Sequence, residues 1–356
     1  MDRPTVQIYE EHSSAYEAQR APRFLDLARS FGERRPAGTA VDLGSGPGWY
    51  TDALGAPVVA LDAAAAMLRR TREVAPDSLA VQADLGALPF HRGSLAAGWA
   101  RSSYVHVRAA EVPMALNDLH RVLVPDAPVE LTFFGGEAEG RHVFPADDFP
   151  GRWFSTWTAE RLADVVHGAG FGIDELAVTP RAGGVDLTVR ATRAHRLPDF
   201  VDGGMRLLVS GLNPSVHAAD AGVGYITPGN RFWPAALAAG LATRDRDPRH
   251  ALLEHGMGMT DLVKRATPRA DGLTREEYRE GLARLDRLCA WLQPAAVALV
   301  GLAGWRAAAD RRATAGWQER TLGGRPVYVL PSTSGLNAAT PLADLVEHLR
   351  AASDGP

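Results

Sequence analysis

The chain has 356 residues, of which 46% are hydrophobic and 22% are charged. That length predicts two globular domains of roughly 150 to 200 residues each. No apolar run approaches the roughly 20 residues of a membrane-spanning helix, and the polar start "MDRPTVQIYEEHSS" is unlike a signal peptide. The single cysteine, Cys289, excludes an intrachain disulfide and a cysteine-built zinc site. We therefore expect a cytoplasmic protein with no metal site and no membrane partner.

Charge is divided unevenly along the chain. Residues 1–194 carry a net charge of −6, and residues 195–356 carry +2. A net charge of +2 is too small for a domain that coats nucleic acid. It is compatible with a compact site that contacts a few phosphates and gains its remaining affinity from a pocket.

The first half of the chain alternates short apolar segments with helical patterns such as "AAAAMLRRTREVA". The apolar segments, which we expect to be buried strands, are "TAVDLGS" (Thr39–Ser45), "PVVALDA" (Pro57–Ala63), "SLAVQADL", "LAAGWARS" and "PVELTFFG". The segment "WTAERLADVVHGAGFGIDEL" reads as a helix with Thr158 as its N-cap, ended by Gly168 or Gly170. This alternation predicts an α/β fold with a parallel, doubly wound, Rossmann-like sheet.

A second α/β pattern begins after a segment rich in helix and strand breakers, "RAHRLPDFVDGG". We place the domain boundary there, which gives one domain at 1–194 and another at 195–356. In the second domain "RLLVSGLN", "AAVALVGLAG" and "PVYVLPST" each read as a buried strand that ends in a loop, and "TREEYREGLARLDRLCAWL" reads as a helix. The two halves share an architecture class but no repeated motif.

A glycine loop, "VDLGSGPG", follows the first predicted strand. Its glycines are Gly44, Gly46 and Gly48, and Trp49 stands where a dinucleotide-binding G-x-G-x-x-G loop would need its last glycine. Such a loop lets the backbone approach a ligand closely. Asp62 ends the second strand, where a carboxylate can accept hydrogen bonds from ribose hydroxyls, and Asp84 ends the third.

This order of acids and glycines resembles the cofactor site of class I S-adenosylmethionine-dependent methyltransferases, over about residues 5–190. The resemblance implies that the glycines hold the methionine part of S-adenosyl-L-methionine, that Asp62 holds the ribose, and that Asp84 with Leu85 holds the adenine. Residues carried into this cofactor set are Asp42, Gly44, Gly46, Gly48, Asp62, Asp84 and Leu85. The alternative is a glycine-rich turn whose acids only cap helices.

The methyl acceptor is not indicated by any motif. Where DNA amino-methyltransferases carry an Asn- or Asp-Pro-Pro-aromatic motif, this chain has "ARSSYVHV" (Ala100–Val107), and its first half contains no cysteine for attack on cytosine C5. DNA methylation is therefore unsupported, and we expect a small molecule or an RNA nucleoside. His106 is a candidate general base at this position, although a structural role is the more common one for a single histidine.

In the second half, "SGLNPS" ends a strand with an Asn-Pro turn, followed by Tyr225 and by "PGNRFW", "GMTDLVKRAT" and "VLPSTSGLN". Taken together, these motifs resemble the mismatch-specific uracil/thymine-DNA glycosylases of the uracil-DNA glycosylase superfamily, over about residues 197–352. The resemblance implies that superfamily's α/β/α fold and a glycosylase that needs no cofactor. It also implies that Asn213 positions the attacking water, while Gly211, Leu212 and Tyr225 hold the flipped base. Taken singly, Asn213-Pro214 reads as an ordinary turn and Tyr225 as core packing.

The loop Ser332–Ala338 matches the segment that enters the DNA duplex in that family. The resemblance makes Leu336 the wedge that fills the space left by the extruded base, and makes Gly335 and Asn337 contacts to the opposite guanine. Ser332, Thr333 and Ser334 would donate to phosphates, as would Lys264 and Arg265 unless they are only a solvated pair. Ala338 stands where a bacterial relative's pattern has arginine, which puts the strength of opposite-base reading in question.

Three functions follow as expectations. The first is a monofunctional DNA glycosylase that hydrolyses the N-glycosidic bond of uracil opposite guanine, with thymine and exocyclic adducts as further candidate substrates. Its partner would be double-stranded DNA with a G·U or G·T mismatch, and it is fused to an S-adenosylmethionine-binding domain. The second is a methyltransferase of a small molecule or an RNA nucleoside, in which the C-terminal domain docks nucleic acid. The third treats both halves as ligand-sensing modules without turnover.

Overall fold

The computed structural model describes residues 1–268 and 272–356. The chain divides into two compact units, Met1–Val166 with Phe171–Ala194 and His167–Gly170 with His195–Pro356. We call them the N-terminal and the C-terminal unit. Among the described residues, no helix combines the length and apolar character that crossing a membrane would require.

The N-terminal unit is built on one large mixed sheet. Its strands are β1 (Ala40–Leu43), β2 (Val58–Asp62), β3 (Leu79–Gln82), β4 (Ala97–Arg101), β5 (Pro128–Gly135), β6 (Glu139–Gly140), β7 (Phe154–Trp157), β8 (Phe171–Arg181) and β9 (Gly184–Arg193). The first five are parallel and lie in the order β3-β2-β1-β4-β5. All five strands predicted from the sequence are thereby confirmed. The chain reverses its direction of travel across the sheet between β1 and β4, which is where doubly wound sheets bind ligands.

The antiparallel hairpin β8–β9 extends this sheet through pairing of β9 with β5 and was not predicted from the sequence patterns. The helices of this half are α1 (Arg3–Gln19), α2 (Leu25–Arg34), α3 (Ala65–Val74), α4 (Val112–Val122) and α5 (Ala159–Gly168). The predicted N-cap of α5 is confirmed, because the Arg161 amide donates to the Thr158 hydroxyl at 3.2 Å. Such a bond satisfies one of the free amide groups of the first helical turn.

The C-terminal unit has a five-stranded sheet in the order β11-β10-β12-β14-β13. Its strands are β10 (Leu207–Gly211), β11 (Met257–Asp261), β12 (Ala296–Val300), β13 (Gly316–Trp317) and β14 (Val327–Leu330). All pairs are parallel except β13–β14. The three predicted strands are confirmed, but β11 was missed because glycine and polar residues interrupt its apolar pattern. Position 258 of this strand requires glycine, because a Cβ there would stand 2.1 Å from the Met205 sulfur.

Helices flank this second sheet along the chain. They are α6 (Val216–Ala221), α7 (Phe232–Ala238), α8 (Pro248–His255), α9 (Arg275–Leu292), α10 (Leu302–Ala308) and α11 (Leu342–Asp354). One buried core joins Phe232 and Trp233 of α7 to residues of β10, β12 and α11. The predicted helix α9 begins with a capping box formed by Thr274 and Glu277, which exchange hydrogen bonds between side chain and backbone. These elements fix the carboxyl edge of the sheet, where the candidate site lies.

Helix α9 approaches the segment after β11 so closely that only glycine fits at position 281. A Cβ on Gly281 would stand 2.0 Å from the Leu262 carbonyl oxygen. We expect Gly281→Ala to lower the free energy of unfolding by about 1–3 kcal/mol, as overpacking does, although alanine is the better helix former by about 1 kcal/mol. Urea unfolding of the two proteins measures the difference.

The matched control is Ala283→Gly on the exposed side of the same helix. It should lose only the ordinary helix propensity of about 1 kcal/mol. A Gly281→Ala protein as stable as the parent would mean that α9 is not held against Leu262 as described.

Candidate active sites

A cavity of about 920 Å³ opens at the carboxyl edge of the C-terminal sheet. Gly211, Asp261 and Val300 line it, and they are the last residues of β10, β11 and β12. Parallel strands direct their carboxyl ends toward one edge, and the loops that follow them build the ligand site there. The cavity therefore lies where the fold class places binding sites.

Asn213 lines this cavity with its carboxamide held in one orientation. Its Nδ2 donates to the Thr267 hydroxyl at 2.7 Å and to the carbonyl oxygens of Pro214 and Arg265, each at 3.2 Å. Carbonyl oxygens can only accept hydrogen bonds, so the nitrogen must face them. The Oδ1 atom is then directed elsewhere and can accept a hydrogen bond from a water molecule or a ligand.

Tyr225 also lines the cavity and has a backbone φ of 59°, which is rare for a residue with a side chain. One face of its ring lies on Phe232, with the ring centroids 4.1 Å apart and an interplanar angle of 19°. A base that stacks on Tyr225 must therefore use the opposite face. The loop that carries it is fixed by the Trp233 indole, which donates to the Gly224 carbonyl at 2.9 Å. Gly211 and Leu212, predicted to hold the base, line the same cavity.

The Ser332–Ala338 loop follows β14 and presents Leu336 to solvent with 96% of its surface exposed. Ser332, Thr333 and Ser334 line the cavity. Gly335 packs on the backbone of the loop before α7, because a Cβ on it would stand 2.9 Å from the Gly229 carbonyl oxygen. The tip of the loop is therefore apolar and exposed, and the first residues of the loop form one side of the cavity.

Arg231 anchors this loop, although the sequence motifs did not single it out. Its guanidinium donates to the carbonyl oxygens of Ser334, Asn337 and Thr340, and its backbone amide donates to the Thr333 carbonyl. Charge-assisted hydrogen bonds are stronger than neutral ones, and the planar guanidinium fork can serve several carbonyls at once. The only local signal was an arginine next to the N-terminus of α7, where a basic residue opposes the helix dipole.

Two predicted DNA contacts in the loop have internal roles. The Thr333 side chain is 1% exposed, so it is not placed to meet a phosphate on the surface, and that prediction is wrong. The Asn337 amide donates to the Ser332 carbonyl at 2.8 Å and to the Thr340 hydroxyl at 3.1 Å. These bonds brace the loop and leave the side-chain oxygen of Asn337 for contact with a nucleobase.

The prediction that Lys264 contacts phosphate is also wrong. Its side chain is 1% exposed, and its Nζ lies 2.6 Å from Oδ1 of the buried Asp199. Arg265 is exposed, but both its Nε and its Nη2 donate to the Glu277 carboxylate, at 2.7 and 3.0 Å. The Arg265 hydrogen bond lowers the pKa of Glu277 to about 2, which keeps this pair charged. Arg265 therefore braces the start of α9 rather than projecting freely.

Asp261 is a cavity residue that the motifs did not identify. It ends β11, is 6% exposed and lines the cavity. Burial raises the pKa of its carboxyl group to about 6. Recognition of β11 as a strand would have found it, because the rule that ligands meet strand ends would then have applied.

The N-terminal unit has its own cavity, of about 570 Å³. Gly44, Gly46, Asp62 and Leu85 line it, as the sequence predicted for a cofactor site, together with Ser103 beyond β4. Gly46 has a φ of 55°, and a Cβ there would meet no atom within 4 Å. The backbone of the glycine loop is therefore open to a ligand at this point.

Asp62 is tied into the glycine loop. Its Oδ2 accepts from the Gly46 amide at 2.9 Å and its Oδ1 from the Ala64 amide at 2.8 Å. Burial raises the pKa of Asp62 to about 6, although these backbone hydrogen bonds oppose the shift. The carboxylate keeps further lone pairs for ribose hydroxyls, since each oxygen can accept more than one hydrogen bond.

Three other residues of the predicted cofactor set do not line this cavity. Asp42 is buried and accepts from the Thr51 hydroxyl at 2.7 Å, and burial raises its pKa to about 7. Gly48 is required by packing, since a Cβ there would stand 2.9 Å from Cα of Thr71. Asp84 accepts from the Met1 amino group and from the Gly86 amide. Direct cofactor contact by Asp42 and Gly48 is therefore corrected to roles that shape the loop. Adenine contact by Asp84 stays a prediction, because its side chain is 42% exposed and its neighbour Leu85 lines the cavity.

His106 lines the N-terminal cavity but is 5% exposed and bonded at both ring nitrogens, to the Tyr9 hydroxyl at 2.8 Å and the Trp153 carbonyl at 2.7 Å. Burial lowers its pKa to about 4. A neutral, fully bonded imidazole favours the structural role over that of a general base.

Two family models match the chain. Residues 198–352 match the Uracil DNA glycosylase superfamily, and residues 41–129 match a Methyltransferase domain. The chain thus combines a methyltransferase domain with a C-terminal domain that belongs to the uracil DNA glycosylase superfamily.

Solved structures similar to this chain include three S-adenosylmethionine-dependent or related methyltransferases. One, from Mesorhizobium loti, is 20% identical with a TM-score of 0.40 and covers 48% of this chain and 100% of its own. A second, from Methanosarcina mazei, is 19% identical with a TM-score of 0.39 over 44% of this chain and 92% of its own. The third is the Burkholderia thailandensis 1,6-didemethyltoxoflavin-N1-methyltransferase, 19% identical with a TM-score of 0.43 over 54% of this chain and 88% of its own.

We expect Arg231→Met to loosen the Ser332–Ala338 loop, because methionine fills similar space but donates no hydrogen bond to the three carbonyls. The backbone amides of residues 334–340 should exchange with deuterium about 10-fold faster or more, which corresponds to about 1.4 kcal/mol of lost local stability. Hydrogen–deuterium exchange measured by mass spectrometry reports this change. Arg350→Met is the control, because the Arg350 guanidinium bonds Glu347 and Ala238 instead of the loop. Equal exchange in the parent and Arg231→Met proteins would contradict the anchoring role.

Proposed function

We propose that the C-terminal unit is a DNA glycosylase that removes uracil, and also thymine, opposite guanine in double-stranded DNA and leaves an abasic site. The observation that carries this proposal is the Asn213 carboxamide, fixed by three hydrogen bonds at a cavity that Tyr225 also lines. Membership of the uracil DNA glycosylase superfamily supports the same reaction class.

The chemistry fits a positioning mechanism. A base inside a duplex is out of reach, so the nucleotide must rotate out and enter the cavity, where Tyr225 offers a ring face. The bond between C1′ and N1 then breaks, and its electron pair leaves with the base as an anion. Water adds to C1′, and the proton that it loses passes through solvent to the base anion. The Oδ1 of Asn213 holds that water by accepting one of its hydrogens. An amide is a weak base, so rate enhancement comes from orientation and from stabilisation of the departing anion, and turnover is slow.

The exposed Leu336 supports the duplex as the substrate. Proteins that extrude a base fill the gap with an inserted apolar side chain at an energetic cost to base stacking. Leu336 is 96% exposed at the tip of a loop whose backbone is held by the Arg231 guanidinium. A free uracil nucleoside would need no such wedge.

The test is incubation of the purified full chain with a duplex containing one G·U pair, followed by alkali treatment to break the strand at abasic sites. We expect strand breaks with the parent protein and a loss of about 100-fold for Asn213→Ala, since misplacement of a reacting group costs about 100-fold. Gln318→Ala is the matched control, because Gln318 carries the same carboxamide outside the cavity and bonds only to nearby carbonyls.

Three outcomes are informative. No alkali-labile site with the parent protein removes the proposal. Equal cleavage by the parent and Asn213→Ala proteins removes Asn213 from the reaction. A sensing module would be favoured if the parent protein binds the G·U duplex without turnover and the Asn213→Ala protein loses that affinity.

We also propose a second activity, S-adenosyl-L-methionine-dependent methyl transfer by the N-terminal unit to a small molecule or an RNA nucleoside. The supporting observation is the cavity in which the open glycine loop at Gly46 meets Asp62 and Leu85. When bound, the cofactor would supply an electrophilic methyl group. Gly46 would approach its methionine part, and Asp62 would accept from its ribose hydroxyls.

Calorimetry with S-adenosylmethionine tests this second proposal. We expect Asp62→Ala to weaken binding by about 10- to 100-fold, because hydrogen bonds to a charged acceptor contribute about 1.5–3 kcal/mol. Asp77→Ala, which removes an exposed carboxylate outside the cavity, should leave binding unchanged. Absence of binding, or equal binding by the Asp62→Ala protein, would reduce the N-terminal unit to a scaffold.

A further inference from the structure

Arg101 brings a buried guanidinium group to the wall of the N-terminal cavity. It is the last residue of β4, it lines the cavity, and only 8% of its side chain is exposed. Its Nη2 donates to Oδ2 of Asp186 at 3.2 Å, whereas its Nη1 forms no hydrogen bond within the described residues. A guanidinium group only donates, so Nη1 needs an acceptor that a water molecule or a ligand would supply. A buried donor without a partner calls for an explanation.

Two contacts fix the orientation of this guanidinium group. Its central carbon lies 3.3 Å from the centroid of the Phe24 ring, a cation–π contact that holds the charged group against the ring face. The bond from Nη2 to Asp186 fixes its other degree of freedom. A ligand that bonds to Nη1 therefore does not have to order the long arginine side chain, which lowers the entropy lost on binding.

The acids around Arg101 leave it with unmatched positive charge. Asp186 also faces Arg181, whose Nε lies 3.3 Å from Asp186 Oδ1, so two guanidinium groups share one carboxylate. The other nearby acid, Glu130, lies 3.5 Å from Nε of Arg190. Burial lowers the pKa of Arg101 and Asp186 opposes that shift, but an arginine side chain stays protonated in either case. This end of the cavity therefore favours an anion.

Ser103 supplies a second unsatisfied donor to the same cavity. It is 6% exposed, and its hydroxyl forms no hydrogen bond within the part of the chain that the structure describes. Its Cβ lies 2.4 Å from the position that a Cβ on Gly44 would take, so Ser103 packs against the glycine loop. A carboxylate can satisfy both the guanidinium nitrogen and the hydroxyl, because each of its oxygens accepts hydrogen bonds and its charge is opposite to that of arginine.

The order of the strands places Arg101 and Ser103 beyond the predicted cofactor residues. Leu85 follows β3, Asp62 ends β2, the glycine loop follows β1, and Arg101 ends β4. These four strands are neighbours in the order β3-β2-β1-β4. The positions proposed for adenine, ribose and methionine thus follow one another across the sheet, and Arg101 and Ser103 come next. A second ligand held there would lie beside the methionine part, which carries the reactive methyl group.

The remaining wall of this cavity favours a small planar molecule over RNA. Tyr9 and Tyr16 of α1 line it, with their ring centroids 5.4 Å apart. Aromatic rings offer flat apolar surface on which a planar group can pack. Residues 1–194 carry a net charge of −6, which opposes the approach of a polyanion such as RNA. A molecule with one carboxylate is repelled far less and gains the Arg101 guanidinium once inside.

We propose that Arg101 and Ser103 bind the carboxylate of the methyl acceptor, and that this acceptor is a small planar carboxylic acid. The inference rests on the methyl transfer proposed for the N-terminal unit and names the substrate class of that site. The carboxylate accepts from Nη1 of Arg101 and from the Ser103 hydroxyl, while the planar part of the molecule packs on the tyrosine rings.

The first experiment measures binding of a carboxylate without turnover. The full chain is saturated with S-adenosylhomocysteine, which has no transferable methyl group, and is titrated with benzoate and separately with benzamide. Benzamide has nearly the same shape but no charge. We expect the parent protein to bind benzoate at least about 10-fold more tightly than benzamide, and Arg101→Met to lose this preference, because charge-assisted hydrogen bonds are the strong ones. Ligand-observed nuclear magnetic resonance measures both affinities.

Two further variants guard against a structural explanation. Arg181→Met is the matched control, because Arg181 faces the same Asp186 carboxylate but does not line the cavity. It should keep the benzoate preference of the parent protein. Ser103→Ala leaves the pair of Arg101 and Asp186 intact, so it tests the same site if Arg101→Met fails to fold. We expect it to weaken benzoate binding by about threefold or more, as loss of one hydrogen bond does.

The second experiment separates two sources of the carboxylate, because the methionine part of the cofactor carries one as well. Calorimetry compares S-adenosylhomocysteine with 5′-methylthioadenosine, which lacks the amino-acid group. We expect Arg101→Met to bind both compounds with the affinity of the parent protein. A loss of affinity for S-adenosylhomocysteine alone would assign Arg101 to the cofactor and overturn the proposal.

The outcomes also separate this inference from the proposed methyl transfer. If the parent protein does not prefer benzoate to benzamide, or if folded Arg101→Met and Ser103→Ala proteins keep the full preference, carboxylate binding is overturned while cofactor binding is untouched. The titration is repeated without S-adenosylhomocysteine. If no protein binds the cofactor but the parent still prefers benzoate through Arg101, methyl transfer fails and the carboxylate site stands.

Discussion

Both candidate sites depend on one geometric constraint, namely that parallel strands deliver their last residues to the same edge of a sheet. In the N-terminal unit, β1 and β2 end at the glycine loop and at Asp62. In the C-terminal unit, β10 and β11 end beside Asn213 and at Asp261. Because a side chain at a strand end is supported by the sheet but faces the loops, it can be both rigid and accessible. The two units reach different chemistry by placing different residues at these ends.

Charge burial distinguishes the residues that build the C-terminal site from those that act in it. Asp199 is matched by Lys264 and Arg284 at 2.6 and 2.9 Å, and removal of one partner from such a buried set costs about 3–5 kcal/mol. That cost keeps Lys264 inside the fold. Asp261, which is close to Lys264 in the sequence, has no such partner among the described residues and lines the cavity. A satisfied ion cluster and an unsatisfied acid thus lie side by side, and only the second has bonding capacity for a ligand.

The loop proposed to enter the duplex shows how an exposed apolar side chain can be held ready at small cost. Leu336 gains nothing from burial, so its position depends on the backbone beneath it. Arg231 binds three carbonyls of that backbone, and the Asn337 amide binds a fourth, at Ser332. The proposed wedge is therefore ordered in the free protein, which would reduce the entropy lost on binding a duplex.

Local pattern determined much of this protein. Apolar runs bounded by glycine and polar residues located five strands of the first sheet and three of the second, because strand periodicity and turn chemistry are properties of neighbouring residues. The same patterns located Asp62, which ends β2, and Asn213, which follows β10. They failed at β11, where Gly258 serves a contact with Met205 that no local pattern encodes.

Only the tertiary structure decided which polar residues are free. Lys264 and Arg265 are adjacent in sequence and both basic, yet one is buried against Asp199 and the other is bound to Glu277. Arg231 and the carbonyl of Asn337 are 106 positions apart, and the Asn213 amide finds Thr267 54 positions away. Whether a side chain is satisfied depends on partners that folding brings from distant positions. The sequence alone therefore determined the strand ends and the class of each unit, and the fold decided which groups there remain available to a ligand.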